Sequence, residues 1–182
     1  MTLLELLAAV RNPYAQRLSE SVLSVEAHVE PAFRNQDGEL ALEGALNLPC
    51  RADYIPREGD GRPATVDSTS RVDFETISVA YRDCDVLIGP FVWDWVVITV
   101  SGLPEQEVAE VAKDWFFRWF DPEDTNDANG EGLYGVVHFL GEPKVVSEGI
   151  ELTIDLGSAP PEALDELLER ISSQGARAAS VA

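Results

Sequence analysis

His138 is one of two histidines in the chain, and its neighbours could give an imidazole work to do. The segments 133–140 and 149–156 both alternate apolar and polar residues, which predicts a β-hairpin. Pairing them about the centre of the 141–148 loop sets Leu133, Val137 and Phe139 against Leu156, Leu152 and Ile150. On the opposite face the same register sets Tyr134 against Asp155, Val136 against Thr153, and His138 against Glu151. A carboxylate beside an imidazole fixes its tautomer and raises its basicity. His138 as base, Glu151 as orienting acid, and Tyr134 and Asp155 nearby would suit general acid–base chemistry on an open sheet face. The same residues also suit a cross-strand pair that merely stabilises a wet surface.

The acidic loop 121–131 offers hard oxygen ligands, of which Asp124, Asp127 and Asn129 are the metal candidates. No EF-hand register fits: placing Gly130 sixth puts Thr125 first and Val136 twelfth, and placing Gly132 sixth puts His138 twelfth. An irregular cation site or a solvated turn is what remains. His28 lies between Glu26 and Glu30 on a strand face expected to be wet, where Glu43 could join it. Asp94 sits inside the apolar run around Trp93 and Trp95, where burial would raise its pKa. Gly130-Glu131-Gly132-Leu133-Tyr134-Gly135 spells G-x-G-x-x-G, but a helix precedes it and a strand follows, the reverse of a dinucleotide site. Cys84 stands between Asp83 and Asp85, which disfavour a thiolate; Cys50 follows Pro49. There is no nucleophile elbow, P-loop or zinc-ligand spacing. No cofactor is called for, and an enzymatic role is disfavoured.

The elements that would position these residues read as α+β. Thr2-Leu3-Leu4-Glu5 forms a capping box for a first helix ending at Asn12-Pro13. Period-two alternation over 22–33 and 39–48, about Asp37-Gly38, predicts an N-terminal β-hairpin. Residues 51–71 lack periodicity and balance Arg51, Arg57, Arg62 and Arg71 against Asp53, Glu58, Asp60 and Asp67. They read as a flexible loop, either an Arg-bearing lid or a connector. A bulged strand follows over 72–81, then a strand over 91–100 apolar on both faces. A helix spans 104–120, and its Trp115, Phe116, Phe117, Trp119 and Phe120 read as core with some partner contact. The second hairpin, a helix from Pro160-Pro161 to Gly175, and a short strand over 176–181 complete the chain. One domain covers residues 1–182: a helix and hairpin over 1–50, the loop 51–71, and a mainly antiparallel core over 72–182. From residue 91 the order β, α, β, β, α and a further β matches a ferredoxin-like unit.

Charge limits the partners. Thirteen Lys and Arg oppose 33 Asp and Glu over 182 residues, a formal charge of −20. Binding to nucleic acid or an anionic membrane needs a basic footprint that this chain lacks. The N-terminus has no basic region ahead of its leucines, and the longest apolar run, 95–100, is too short to span a bilayer. A cytoplasmic protein is expected. The leading expectation is a non-catalytic binding protein that engages a basic protein partner, as an inhibitor, immunity-type protein or adaptor would. The alternative is a small-molecule binder or enzyme on the His138/Glu151 face, and that face could also serve a homodimer.

Overall fold

The computed structural model describes residues 1–66 and 71–182; part of the expected 51–71 loop therefore lies outside the described residues. Helix α1 (Leu3–Ser24) starts at the capping box, where the Thr2 amide donates to Glu5 and the Glu5 amide to the Thr2 hydroxyl. It does not end at Asn12-Pro13. Pro13 lies in its interior, at a cost of about 3 kcal/mol, yet Tyr14, Leu18 and Val22 continue the buried stripe of Leu7 and Val10. Each buried side chain of this size stabilises by roughly 1.5–3 kcal/mol, so the packed face carries the helix through the proline.

Strand β1 (Ala27–Val29) pairs antiparallel with β2 (Tyr54–Pro56), not with residues 39–48. The Asp37-Gly38 turn does form, with Gly38 at φ 82°, but its pairing stops at an Arg34–Leu40 bridge and the Ala41 amide bonded to Phe33. Leu42 is 53% exposed, and a 3-10 turn at Ala45–Asn47 carries Leu46 and Leu48 onto the core instead of extending the ladder.

A seven-stranded sheet holds the rest. Strands β3 (Ile77–Tyr81), β4 (Cys84–Ile88), β5 (Val96–Ser101), β6 (Phe139–Leu140), β7 (Lys144–Val146), β8 (Gly149–Asp155) and β9 (Ala178–Val181) lie in the order β3-β4-β9-β5-β8-β6, and β7 also pairs with β8. Among the described residues only β4–β9 is parallel; the sheet is mixed and mostly antiparallel. The sequence pattern missed β4. In β5, Val96, Ile98 and Val100 are buried while Val97, Thr99 and Ser101 are not, so this central strand is fully covered on one face rather than both.

Helices α2 (Glu105–Phe120) and α3 (Pro161–Ser173) join α1 and the buried parity of the strands in one apolar cluster. Trp115 anchors the two helices, its ring N–H donating to the Ala163 carbonyl at 2.7 Å. Trp115, Phe116 and Phe120 are core, while Phe117 stays 38% exposed. Among the described residues no helix is long and apolar enough to cross a membrane.

The second hairpin takes a different register. Ser147-Glu148 closes a two-residue turn between Val146 and Gly149, the preferred hairpin length. Residues 141–143 interrupt the partner strand, and β6 then pairs Phe139 with Asp155 and Leu140 with Ile154. The partner of Asp155 thus moves from the expected Tyr134 to Phe139, a shift of five residues. An odd shift inverts every side chain, and His138 turns away from the open face into the protein.

Candidate functional site

The structure does not bring His138 and Glu151 together. Glu151 lies half-buried on the open face between Thr99 and Lys144. His138 is 1% exposed, and its neighbours are Glu30, Asp53 and Asp155. Tyr134 is exposed and contributes only its amide, which donates to Glu30 Oε2 at 2.7 Å.

Glu30 follows β1 with φ 47°, a left-handed conformation that costs a non-glycine residue energy. That bend carries its carboxylate from the wet face expected beside His28 to complete burial, while His28 stays exposed. Glu30 Oε1 lies 2.8 Å from His138 Nε2 and accepts the Ser158 amide at 3.2 Å. Together with the Tyr134 amide these contacts satisfy a buried charge.

Asp53 comes from the 51–66 segment, just ahead of β2. Its Oδ1 accepts the Tyr14 hydroxyl at 2.7 Å, and its Oδ2 accepts the Val66 amide. The first contact ties α1 to the site. His138 Nδ1 is 3.1 Å from Asp53 Oδ1 and 3.8 Å from Asp155 Oδ2, but neither oxygen lies where a ring N–H would point. Asp155 ends β8 and accepts the Gly157 amide at 2.8 Å through its other oxygen. Gly157 has φ 51°, and a Cβ there would sit 2.3 Å from the imidazole Cδ2, so only glycine lets this turn close on the ring.

Burial alone would lower the pKa of His138. The adjacent carboxylates of Asp53, Glu30 and Asp155 outweigh it and raise the imidazole to about 10. Burial lifts the Asp155 carboxyl to about 7 against the opposing pull of His138. Its side chain remains 22% exposed. Burial also pushes against Asp53, but the imidazole and the Tyr14 hydroxyl hold it below the ordinary aspartate range. The Tyr14 hydroxyl is raised well above its usual value by burial and the nearby carboxylates. Asp94, on the turn before β5, adds negative charge toward Asp155.

One oxygen each from Asp53 and Asp155 and one nitrogen of His138 fall within 4.8 Å of one another. A pocket of about 190 Å³ reaches both carboxylates and is also lined by Phe33, Arg51, Pro63 and Thr65. The acidic-loop candidates do not converge in this way. Asp124 is bound by Arg34 and Arg51, Asn129 caps the Glu131 and Leu133 amides through its side-chain oxygen, and Asp127 faces solvent.

Arg51, expected in a flexible loop that reads as either a lid or a connector, is a buried clamp. It donates to the carbonyls of Phe120, Glu30 and Asp121 and to the Asp124 carboxylate, and its guanidinium lies 4.6 Å from the centre of the Phe120 ring. Sequence reasoning missed Glu30 and Asp53 as neighbours of His138, and Tyr14 as the partner of Asp53. Only Asp155 had a local signal, the glycine two residues later that turns the chain back.

A second, wider groove lies elsewhere, between α2 and α3. It has a volume of about 730 Å³ and is lined by five carboxylates, Asp114, Glu162, Asp165, Glu166 and Glu169, against Arg118 and Arg170, with Val111 and Trp119 as apolar lining. Both arginines pair with Glu166, and Asp165 accepts the Tyr81 hydroxyl. Asp114, Glu162 and Glu169 are exposed and make no hydrogen bond or ion pair among the described residues. Comparison with protein-family models, curated proteins and solved structures finds no match.

Proposed function

We propose that this chain is a non-catalytic acidic binding protein that engages a basic protein partner, as an inhibitor, immunity-type protein or adaptor does. The observation that carries this reading is the α2–α3 groove, where three carboxylates are uncommitted and both guanidiniums are spent on Glu166. Trp119 beside them is already faced by the Arg118 guanidinium and donates to Glu166, so the uncommitted carboxylates are what an arriving guanidinium or ammonium meets. The charge of −20 would steer such a partner toward the protein from a distance.

The ferredoxin-like reading of the C-terminal half belongs to the same proposal. It is supported by β5-α2-β6/β7-β8-α3-β9 in chain order and by the spatial order β9-β5-β8-β6 with antiparallel neighbours. In this arrangement α2 and α3 lie side by side and form the groove.

The test uses a hexa-arginine peptide as a defined basic probe. Reversing Glu162 and Glu169 to Lys should weaken its binding at low salt by about tenfold, two exposed charge pairs at a few tenths to 1 kcal/mol each. Reversing Glu39 and Glu43, which do not line the groove, should do much less. Equal losses from the two double variants would refute the groove as the docking surface.

A further inference from the structure

We propose that His138 Nδ1, Asp53 Oδ1 and Asp155 Oδ2 form a binding site for a divalent transition-metal cation of the Zn²⁺, Mn²⁺ or Co²⁺ type. The basis is the orientation of a buried imidazole. Its Nε2 is held 2.8 Å from Glu30, a carboxylate fully buried and fixed by two backbone amides. A metal ion binding Nδ1 releases the proton held there, while this contact keeps the other proton on Nε2 and so presents the Nδ1 lone pair to the ion. That is the carboxylate–histidine arrangement found behind metal-bound imidazoles, where the outer acid sets the tautomer and the ring angle.

The lone-pair side has no hydrogen-bond partner among the described residues, although it is fully buried and faces two carboxylate oxygens. Ligand atoms each about 2.1 Å from a tetrahedral centre lie about 3.4 Å apart. The separations from Nδ1, 3.1 and 3.8 Å, straddle that spacing. Small side-chain movements would place all three atoms on one ion.

Charge favours the same occupant. Glu30, Asp53 and Asp155 gather around a single imidazole, and Arg51, which lines the same pocket, is committed to three carbonyls and Asp124. A divalent cation would offset charge that one imidazolium cannot. One nitrogen and two carboxylates suit a first-row transition metal or zinc better than Ca²⁺ or Mg²⁺, which prefer oxygen alone. The 190 Å³ pocket opens on the Asp53 and Asp155 side, leaving room for water or a small ligand to complete the shell. Gly157 keeps the ring in place, since any side chain there would displace the imidazole.

The experiment uses the full chain stripped with chelator, with Zn²⁺ and Co²⁺ titrated by calorimetry and by the visible absorption of bound Co²⁺. One ion should bind per chain, with a Co²⁺ spectrum of low coordination number and a rise in Tm. Asp155→Asn, at a partly exposed position, should keep the native circular dichroism and weaken binding at least tenfold. His138→Gln serves as a second variant and should abolish the Co²⁺ band; if it does not fold, Asp155→Asn alone decides. Absence of a one-to-one site at millimolar Zn²⁺, or affinity unchanged in folded Asp155→Asn, overturns the proposal, since the ion would then sit on the acidic surface. Mg²⁺ and Ca²⁺ should compete poorly; equal competition would likewise overturn it.

Discussion

Replacing Arg51 by Met should destabilise the fold by about 3–5 kcal/mol, the cost of removing one partner from a buried charged network. The magnitude follows from what the guanidinium holds. It donates at 2.9 Å to the Phe120 carbonyl, 2.6 Å to Glu30, 2.7 Å to Asp121 and 2.7 Å to the Asp124 carboxylate, with its side chain 4% exposed. Hydrogen bonds involving a charged group contribute about 1.5–3 kcal/mol each before solvent recovers part of the loss. Methionine fills the volume of the aliphatic stem, so the change reads the lost polar contacts rather than a cavity. Water can reach some of the vacated positions, because Arg51 lines two pockets, and this keeps the total below the simple sum. Arg51→Lys keeps the charge but not the planar fork and should fall between Met and wild type. Urea denaturation monitored by tryptophan fluorescence gives the free energies. A loss below about 1 kcal/mol for Arg51→Met would refute the clamp and return residue 51 to a solvated loop, where surface substitutions usually cost little.

Acid should loosen the 121–134 loop. Burial opposes ionisation of Asp121 and Asp124, but the Asn126 and Thr125 amides hold the first, and Arg51 and Arg34 the second, below the ordinary 3.8. Hydrogen bonding from Arg11 lowers Glu131 below 4.5. Groups with lowered folded pKa stabilise above their unfolded values and lose that contribution as pH falls through the folded ones. The NMR amide signals of Thr125 and Asn126 should therefore shift with a midpoint below 3.8; a midpoint at or above 3.8 contradicts the reasoning. Pro13→Ala should stabilise by about 1–3 kcal/mol, since it restores a helical N–H where α1 continues on both sides. A lower Tm in that variant would show that α1 depends on the proline.

Segments whose pattern repeats over several turns were legible in the sequence. Helix α2 was predicted over 104–120 and runs Glu105–Phe120, and α3 starts at its prolines and ends before Gly175, because caps and apolar stripes are local. Pairing partners were not legible. Alternation over 39–48 is compatible with a strand, yet a 3-10 turn at Ala45–Asn47, with Leu46 and Asn47 at positive φ, bends the chain so that Leu46 and Leu48 reach the core from a turn rather than a ladder. The end of α1 was misplaced because a proline penalty is local while the packing that overrides it is not.

The register of the second hairpin shows how one such ambiguity changes chemistry. Centring the 141–148 loop gives a consistent pattern on both faces, but Ser147-Glu148 makes a tighter turn that shifts β7 by six residues, and the interruption at 141–143 leaves β6 shifted by an odd five, which inverts His138. Under the first pairing His138 shares a wet face with Glu151; under the second it enters the interior and needs acids from elsewhere. Those acids come from 108 residues before it, at Glu30, and 85 before it, at Asp53, with Asp155 from the neighbouring strand. Nothing in the residues around Glu30 or Asp53 marks them for burial. Glu30 reads as one polar position in an alternating run until φ 47° redirects its side chain, and Asp53 reads as one of four acids balancing four arginines. A buried imidazole amid carboxylates is therefore a property of the assembled core, and a shift of the hairpin by one more residue would dissolve it.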